Sequence, residues 1–199
     1  MTQNRTSLVS TRKRWPLLIA AVIGVAALTA CASNTAKNHP DLPTQENVDL
    51  KRYAGIWHEQ ARLPNRFQKS CAGDVQAEYT LLPDGKIRVI NQCRNSDGGT
   101  KMAEGLGRLA GDGADADPAQ LEVRFAPSWL SWLPPVWGDY WIIRLEGDYE
   151  YSLVGTPDRE YLWVLSRDKD ADASRVTALL DHARTLGFPV DKVIRTGAG

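Results

Sequence analysis

The stretch GDVQAEYTLLPDGKIRVINQC, residues 73–93, decides the fold. In its first half Val75, Ala77 and Tyr79 alternate with Gln76, Glu78 and Thr80. An extended chain points successive side chains to opposite sides, so this alternation builds one apolar and one wet face. Pro83-Asp84-Gly85 interrupts it with turn chemistry: a preset φ, a side chain that bonds nearby backbone, and a residue free to take positive φ. An extended run, 86–93, follows. The stretch reads as an antiparallel hairpin with one face turned to a core.

Outward from this hairpin the pattern repeats. Strands are expected at 55–62, 73–82, 86–93, 102–110, 120–126, 138–146, 149–155 and 160–166, separated by Asp97-Gly98-Gly99, residues 111–118, Gly147-Asp148 and residues 156–159. Leu121, Val123 and Phe125 alternate with Glu122 and Arg124. Short turns with no helix between them make an antiparallel meander. Runs 140–145 and 161–165 are apolar on both faces and need an outer cover. Val176, Leu179, Leu180 and Ala183 form one helical stripe over about 172–187, capped by Asp172 or Ser174 and ended by Gly187. An eight-stranded up-and-down β-barrel with one C-terminal helix satisfies this all-β pattern, removes every edge and leaves room for a small ligand. A two-sheet sandwich satisfies the same alternation.

The N-terminus speaks to location. Arg12-Lys13-Arg14 precede an apolar run from Leu17 to Leu28. Twelve residues of helix span about 18 Å, short of the roughly 30 Å hydrocarbon core, so residues 1–30 read as a signal peptide. Leu28-Thr29-Ala30-Cys31 resembles the lipobox of bacterial lipoproteins, which implies acylation of Cys31 as lipid anchor; Ala32 after it implies the outer membrane. Residues 31–48 read as acylated cysteine and flexible tether, and 49–196 as the barrel. Without its leader the chain has 20 basic and 24 acidic residues, which gives nucleic acid no basic face.

Two cysteines remain, Cys71 and Cys93, in a chain read as exported. Folding the 73–93 hairpin returns Cys93 to about the level of residue 75, so a disulfide is expected. A metal site would need company that His39, His58 and His182 do not give, so neither metal nor cofactor is expected.

Three motifs sit at the ends of these strands: Gly55-Ile56-Trp57, Gly147-Asp148-Tyr149, and Arg167 in Leu165-Ser166-Arg167. With the entry Val48-Asp49-Leu50-Lys51-Arg52-Tyr53, they make the chain resemble the lipocalins, and more closely the bacterial outer-membrane lipocalins of the Blc type. The resemblance runs from Val48 to about Thr196; the Thr that usually precedes Asp148-Tyr149 in the second motif is absent. It implies that Gly55, Trp57, Asp148, Tyr149 and Arg167 build a closed end, with Arg167 on the Trp57 indole and on carbonyls of the 48–53 segment. It also implies a cavity for a fatty acid or lysophospholipid and a role in envelope maintenance.

Alternation gives the cavity wall Val75, Ala77, Tyr79, Val89, Val123 and Phe125, and the resemblance adds Tyr140, Ile142, Val154, Tyr161 and Trp163. Ala103, Gly105 and Gly107 leave space beside them. An acyl chain of about fifteen methylenes would gain on the order of 12 kcal/mol gross from burial, much of it cancelled by ordering. Trp129, Trp132 and Trp137 lie in the connection after 120–126, expected at the mouth as lid, membrane contact or partner site. No catalytic residue is expected. Glu59 shares the phase of Trp57, so it is an inward acid whose counter-charge is Arg62 or Arg144. Two other functions stay open: an enzyme on a barrel-bound lipid or quinone with Glu59 as its acid, and a scaffolding lipoprotein docking through the tryptophan loop. The chain is expected to be a monomer or homodimer.

Overall fold

The computed structural model describes residues 40–196 except 112, 114, 115, 128, 129, 131, 132, 134 and 135. The expected leader, Cys31, Trp129 and Trp132 lie outside the described residues.

A one-turn helix, α1 (Leu50–Tyr53), is started by the Asp49 carboxylate, which accepts from the Lys51 and Arg52 amides. Eight strands follow: β1 (Gly55–Arg62), β2 (Cys71–Leu81), β3 (Ile87–Asn95), β4 (Thr100–Leu109), β5 (Gln120–Arg124), β6 (Gly138–Glu146), β7 (Tyr151–Gly155) and β8 (Leu162–Ser166). Each pairs antiparallel with the next, and β1 pairs with both β2 and β8, closing an eight-stranded barrel. After α2 (Ala173–Thr185), a two-residue strand β9 (Ile194–Arg195) adds to β1 at Ala61 and Arg62. Neither α1 nor β9 shows in the periodicity, because each is too short to have a period.

The alternation sorts into two cores. Inside the barrel lie Trp57, Ala77, Tyr79, Ile87, Val89, Leu121, Ile142, Val154 and Leu165, with Tyr53 from α1. Outside it, Ala61, Ile143, Leu153, Leu162 and Val164 meet Val176, Leu179, Leu180 and Ala183 of α2, so the helix covers the doubly apolar strands. Trp141 packs in this outer core. Asp172 caps α2 by accepting from the Ser174 amide at 2.7 Å. Phe188, just past the helix, presses so closely on β7 that a Cβ on Gly155 would sit 2.7 Å from its ring.

Cys71 and Cys93 form a disulfide between β2 and β3, with Cα atoms 5.6 Å apart. Closing a loop of this length in the unfolded chain is worth about 3 kcal/mol.

The expected tether needs one correction. Residues 40–48 are docked on the barrel: Leu42 is buried in the outer core, the Gln45 amide donates to Ile142 O at 2.9 Å, and Val48 is buried with Tyr53 and Trp57 in the inner core. The Gln45 side-chain oxygen accepts from the Leu145 amide, and Pro40 O accepts from Arg159 at 2.7 Å. Leu42 supplies the apolar anchor that a polar composition concealed.

Candidate ligand cavity

One end of the barrel is sealed. Trp57 is fully buried and its indole N–H donates to Tyr53 O at 2.8 Å. The Arg167 guanidinium lies 3.9 Å from the centre of the Trp57 ring. Its Nη1 donates to Ile56 O, its Nη2 to Arg52, Tyr53 and Ala54 O, and its Nε to Tyr149 O. A planar cation thus stitches α1, β1 and the β6–β7 turn to the indole face. Gly55 admits this approach: its φ is +101°, and a Cβ there would sit 3.1 Å from Arg167 Nη1. Asp148 and Tyr149 both take positive φ, and the Tyr149 hydroxyl accepts from the Asp49 amide at 2.7 Å. Arg52 stacks over Tyr149 and bonds the Asp148 carboxylate, which ties α1 to that turn.

Just above this seal three phenols meet. Tyr140 Oη lies 2.8 Å from both Tyr53 Oη and Tyr79 Oη, and Tyr53 also reaches Ser152 Oγ at 3.2 Å. Burial pushes Tyr53 up to about 12 and raises Tyr79 and Tyr140 as well, so all three stay neutral near pH 7. Tyr79 and Tyr140, expected in the ligand wall, are therefore bonded to other protein hydroxyls. Ala77, Val89, Ile142 and Val154 are fully packed around them in the lower core.

The upper half is different. Val75, Val123, Tyr161 and Trp163 are only partly buried. Tyr161 stacks on Trp163, with ring centres 5.9 Å apart and planes 7° off parallel, and Phe67 from the β1–β2 loop lies 5.8 Å from Tyr161. Phe125 is 47% exposed, at the rim with its ring over Gly105. It belongs to the mouth, because β5 ends one residue before it.

Between rim and floor lies a polar group. The β1–β8 register slips between Glu59 and Ala61. Gln60 and Ala61 therefore both face outward: Gln60 donates to Ser166 Oγ at 2.8 Å, and Ala61 joins the outer core. Glu59 and Arg62 consequently both face the interior, opposite Leu165 and Trp163. They form a buried ion pair at 3.0 Å. The carboxylate also accepts from Gln68 at 2.5 Å and Thr196 at 3.0 Å, and Gln68 in turn accepts from the Trp163 indole at 3.1 Å. Burial still holds the Glu59 carboxyl above the ordinary carboxylate range. Arg144, the other expected partner, faces out and pairs with Glu146. Arg62 keeps one buried donor, Nε, with no acceptor.

Sequence reasoning placed Trp137 at the mouth; it lies instead against the outer wall, 4.0 Å from the Arg108 guanidinium and 5.2 Å from Arg124. Its position one residue before β6, out of phase with Tyr140 by an odd step, sends it outward. No group of three or more His, Cys, Asp or Glu among the described residues is placed to hold a metal ion.

The comparisons agree with this architecture. The family described as lipocalin-like domain matches residues 48–198. Temperature-induced lipocalin-1 of Arabidopsis thaliana is 36% identical over 157 residues, covering 78% of this chain and 82% of its own. The outer membrane lipoprotein Blc of Citrobacter freundii is 35% identical over 178 residues, covering 89% and 93%. Among solved structures, insecticyanin from the tobacco hornworm Manduca sexta superposes with a TM-score of 0.61 over 79% of this chain and 85% of its own, at 23% identity. A sealed barrel under a C-terminal helix, with the Gly55–Trp57 and Arg167 lock at its closed end, and these matches place the chain in the lipocalin family, where it is similar to the Blc-type members.

Proposed function

We propose that the protein is an outer-membrane lipoprotein, anchored through acylated Cys31, that binds or carries a fatty acid or lysophospholipid in its barrel for envelope maintenance, without catalysing a reaction. One observation carries the reading. The barrel is sealed at one end, and its inner wall passes from fully buried apolar side chains at the floor to half-buried Val123, Trp163 and Tyr161 toward the other end. Such a gradient suits a long apolar chain with its polar head nearer the mouth. The unpaired Arg62 Nε–H fits a head bearing an acceptor oxygen, because a buried donor without an acceptor costs about 1–3 kcal/mol. Similarity to lipoproteins named as outer-membrane proteins supports the location.

The test is native mass spectrometry of residues 32–199 purified without detergent, followed by titration with palmitate and with a lysophospholipid. A co-purified or saturating one-to-one lipid is expected. A protein that takes up neither, with its interior shown to be packed, would overturn the carrier reading. The anchor is tested separately: Cys31→Ser should release the chain from the membrane fraction, and continued attachment would count against acylation.

A further inference from the structure

The barrel mouth is formed by the β1–β2, β3–β4, β5–β6 and β7–β8 connections, and the closed end by the other three with α1. Residues 40–48 run down the outer wall between these ends. Pro40 is held at the mouth end, where its carbonyl accepts from Arg159 of the β7–β8 turn. Gln45 lies beside Ile142 and Leu145 of β6, and Asp49 has reached Tyr149 at the closed end. Pro40, the first described residue, thus stands at the mouth end. Cys31 is nine residues upstream. Nine residues reach at most about 30 Å and as coil average roughly 15–18 Å.

The same end carries surface chemistry suited to a lipid head-group layer. Phe67 is 55% exposed at the tip of the β1–β2 loop, and Phe125, also at the rim, is 47% exposed. Arg66 lies 5.0 Å from the Phe67 ring and Lys69 is exposed two residues on. Lys101 crosses from β4 to brace this loop, donating to Phe67 O at 3.2 Å and Ser70 Oγ at 3.1 Å. The loop 63–70 contains no acidic residue. Acidic groups of this end lie apart from that loop: Asp97 on the β3–β4 turn, Asp158 and Glu160 on the β7–β8 turn, and Asp139 at the start of β6.

We infer that the mouth rim around Phe67, Arg66, Lys69 and Lys101 docks on an anionic phospholipid surface, holding the barrel mouth-down on the bilayer that anchors it. This deepens the carrier reading and rests on it: a ligand would pass between bilayer and cavity without crossing open water. An exposed aromatic inserts among head groups while its basic neighbours meet phosphates, each cation strengthening binding by about fivefold.

The test uses the full acylated chain on vesicles of phosphatidylethanolamine and phosphatidylglycerol, read by hydrogen exchange. Slowed exchange is expected in 63–70, with 82–86 and 147–150 at the closed end unchanged. Protection shared equally by both ends, or confined to the closed end, would overturn the inference. In a second arm the Cys31→Ser chain is sedimented with the same vesicles. Arg66→Ala with Lys69→Ala should weaken this binding about 30-fold, and 0.5 M salt should weaken it as well. Closed-end Lys51→Ala should leave it unchanged. No sedimentation, or no effect of the rim substitutions, would overturn the docking surface. Failure of the carrier reading shows elsewhere, as an empty barrel in the mass spectrum, and failure of the anchor as an unmodified Cys31 mass.

Discussion

Replacing Arg167 tests the closed end most sharply. Its three nitrogens donate to carbonyls of Arg52, Tyr53, Ala54, Ile56 and Tyr149, and its plane covers Trp57 at 3.9 Å. Nη2 shares its hydrogens among three acceptors, so about four bonds' worth of interaction is at stake. The side chain is partly exposed, so carbonyls freed by truncation regain water, and each bond is worth the low end of its range, about 0.5–1 kcal/mol. The stacked cation adds about 1–2 kcal/mol. Arg167→Ala should therefore cost about 4 kcal/mol, a large share of a typical 5–15 kcal/mol total, and lower Tm by about 10 °C. Arg167→Lys retains the charge but concentrates three donors at one point, out of reach of Ile56 O and Tyr149 O together, and should recover about half. Urea denaturation followed by tryptophan fluorescence measures both. If Arg167→Ala costs less than about 1 kcal/mol, or Lys performs as well as Arg, the guanidinium fork is not the lock.

The buried phenols make alkaline stability a second test. Tyr53 is raised to about 12 and the unfolded chain titrates near 10, so above pH 10 the folded form holds protons that the unfolded form has lost. Stability is then complete below pH 10 and falls as pH rises toward 12, by about 3 kcal/mol from Tyr53 alone. Absorbance at 295 nm should show three of the six tyrosines silent until unfolding; six titrating together near pH 10 would refute the network. For the interior ion pair, Arg62→Leu should cost about 3–5 kcal/mol by stranding Glu59, and adding Glu59→Gln should restore most of it. Because burial raises the stranded carboxyl, the single variant should be more stable at pH 5 than at pH 8 by chemical denaturation. A flat profile would place Glu59 in water.

Much of this barrel is written in period two. Alternation and turn residues locate the strands because a sheet with one wet face leaves that imprint, and the inward phase of Ala77, Tyr79 and Val89 follows from it, whereas that of Ile142 and Val154, on strands apolar on both faces, comes from the family resemblance. Three features escape. The register slip after Glu59 reverses the phase of β1 without any composition cue, so the inward turn of Arg62 appears only with its partners in view. The docking of 40–48 depends on Leu42 meeting an outer core built mostly by residues more than a hundred positions away. Trp137 reads as a mouth residue by its neighbours in sequence, yet Arg108 and Arg124 claim it from another strand pair. Local pattern carries local geometry, and contacts between distant segments have no local signature.

The slip in β1 also bears on how the chain reaches its final shape. His58 pairs with Ser166, so the first strand made is also the one whose partner arrives last. Hairpins β2–β3 and β3–β4 close over short turns, while β1 keeps an open edge until nearly the whole domain has emerged. An open edge is a template for pairing with another chain. The extra residue twists this edge away from flat register, and the same two positions that frame it, Glu59 and Arg62, turn charges inward. A stray strand docking there would meet both charges before Thr196, which arrives only with the C-terminal segment, can bond Glu59. An irregular, inwardly charged edge is a poor template for a stray strand, and once β8 closes it the same pair stands as the polar shelf of the barrel interior.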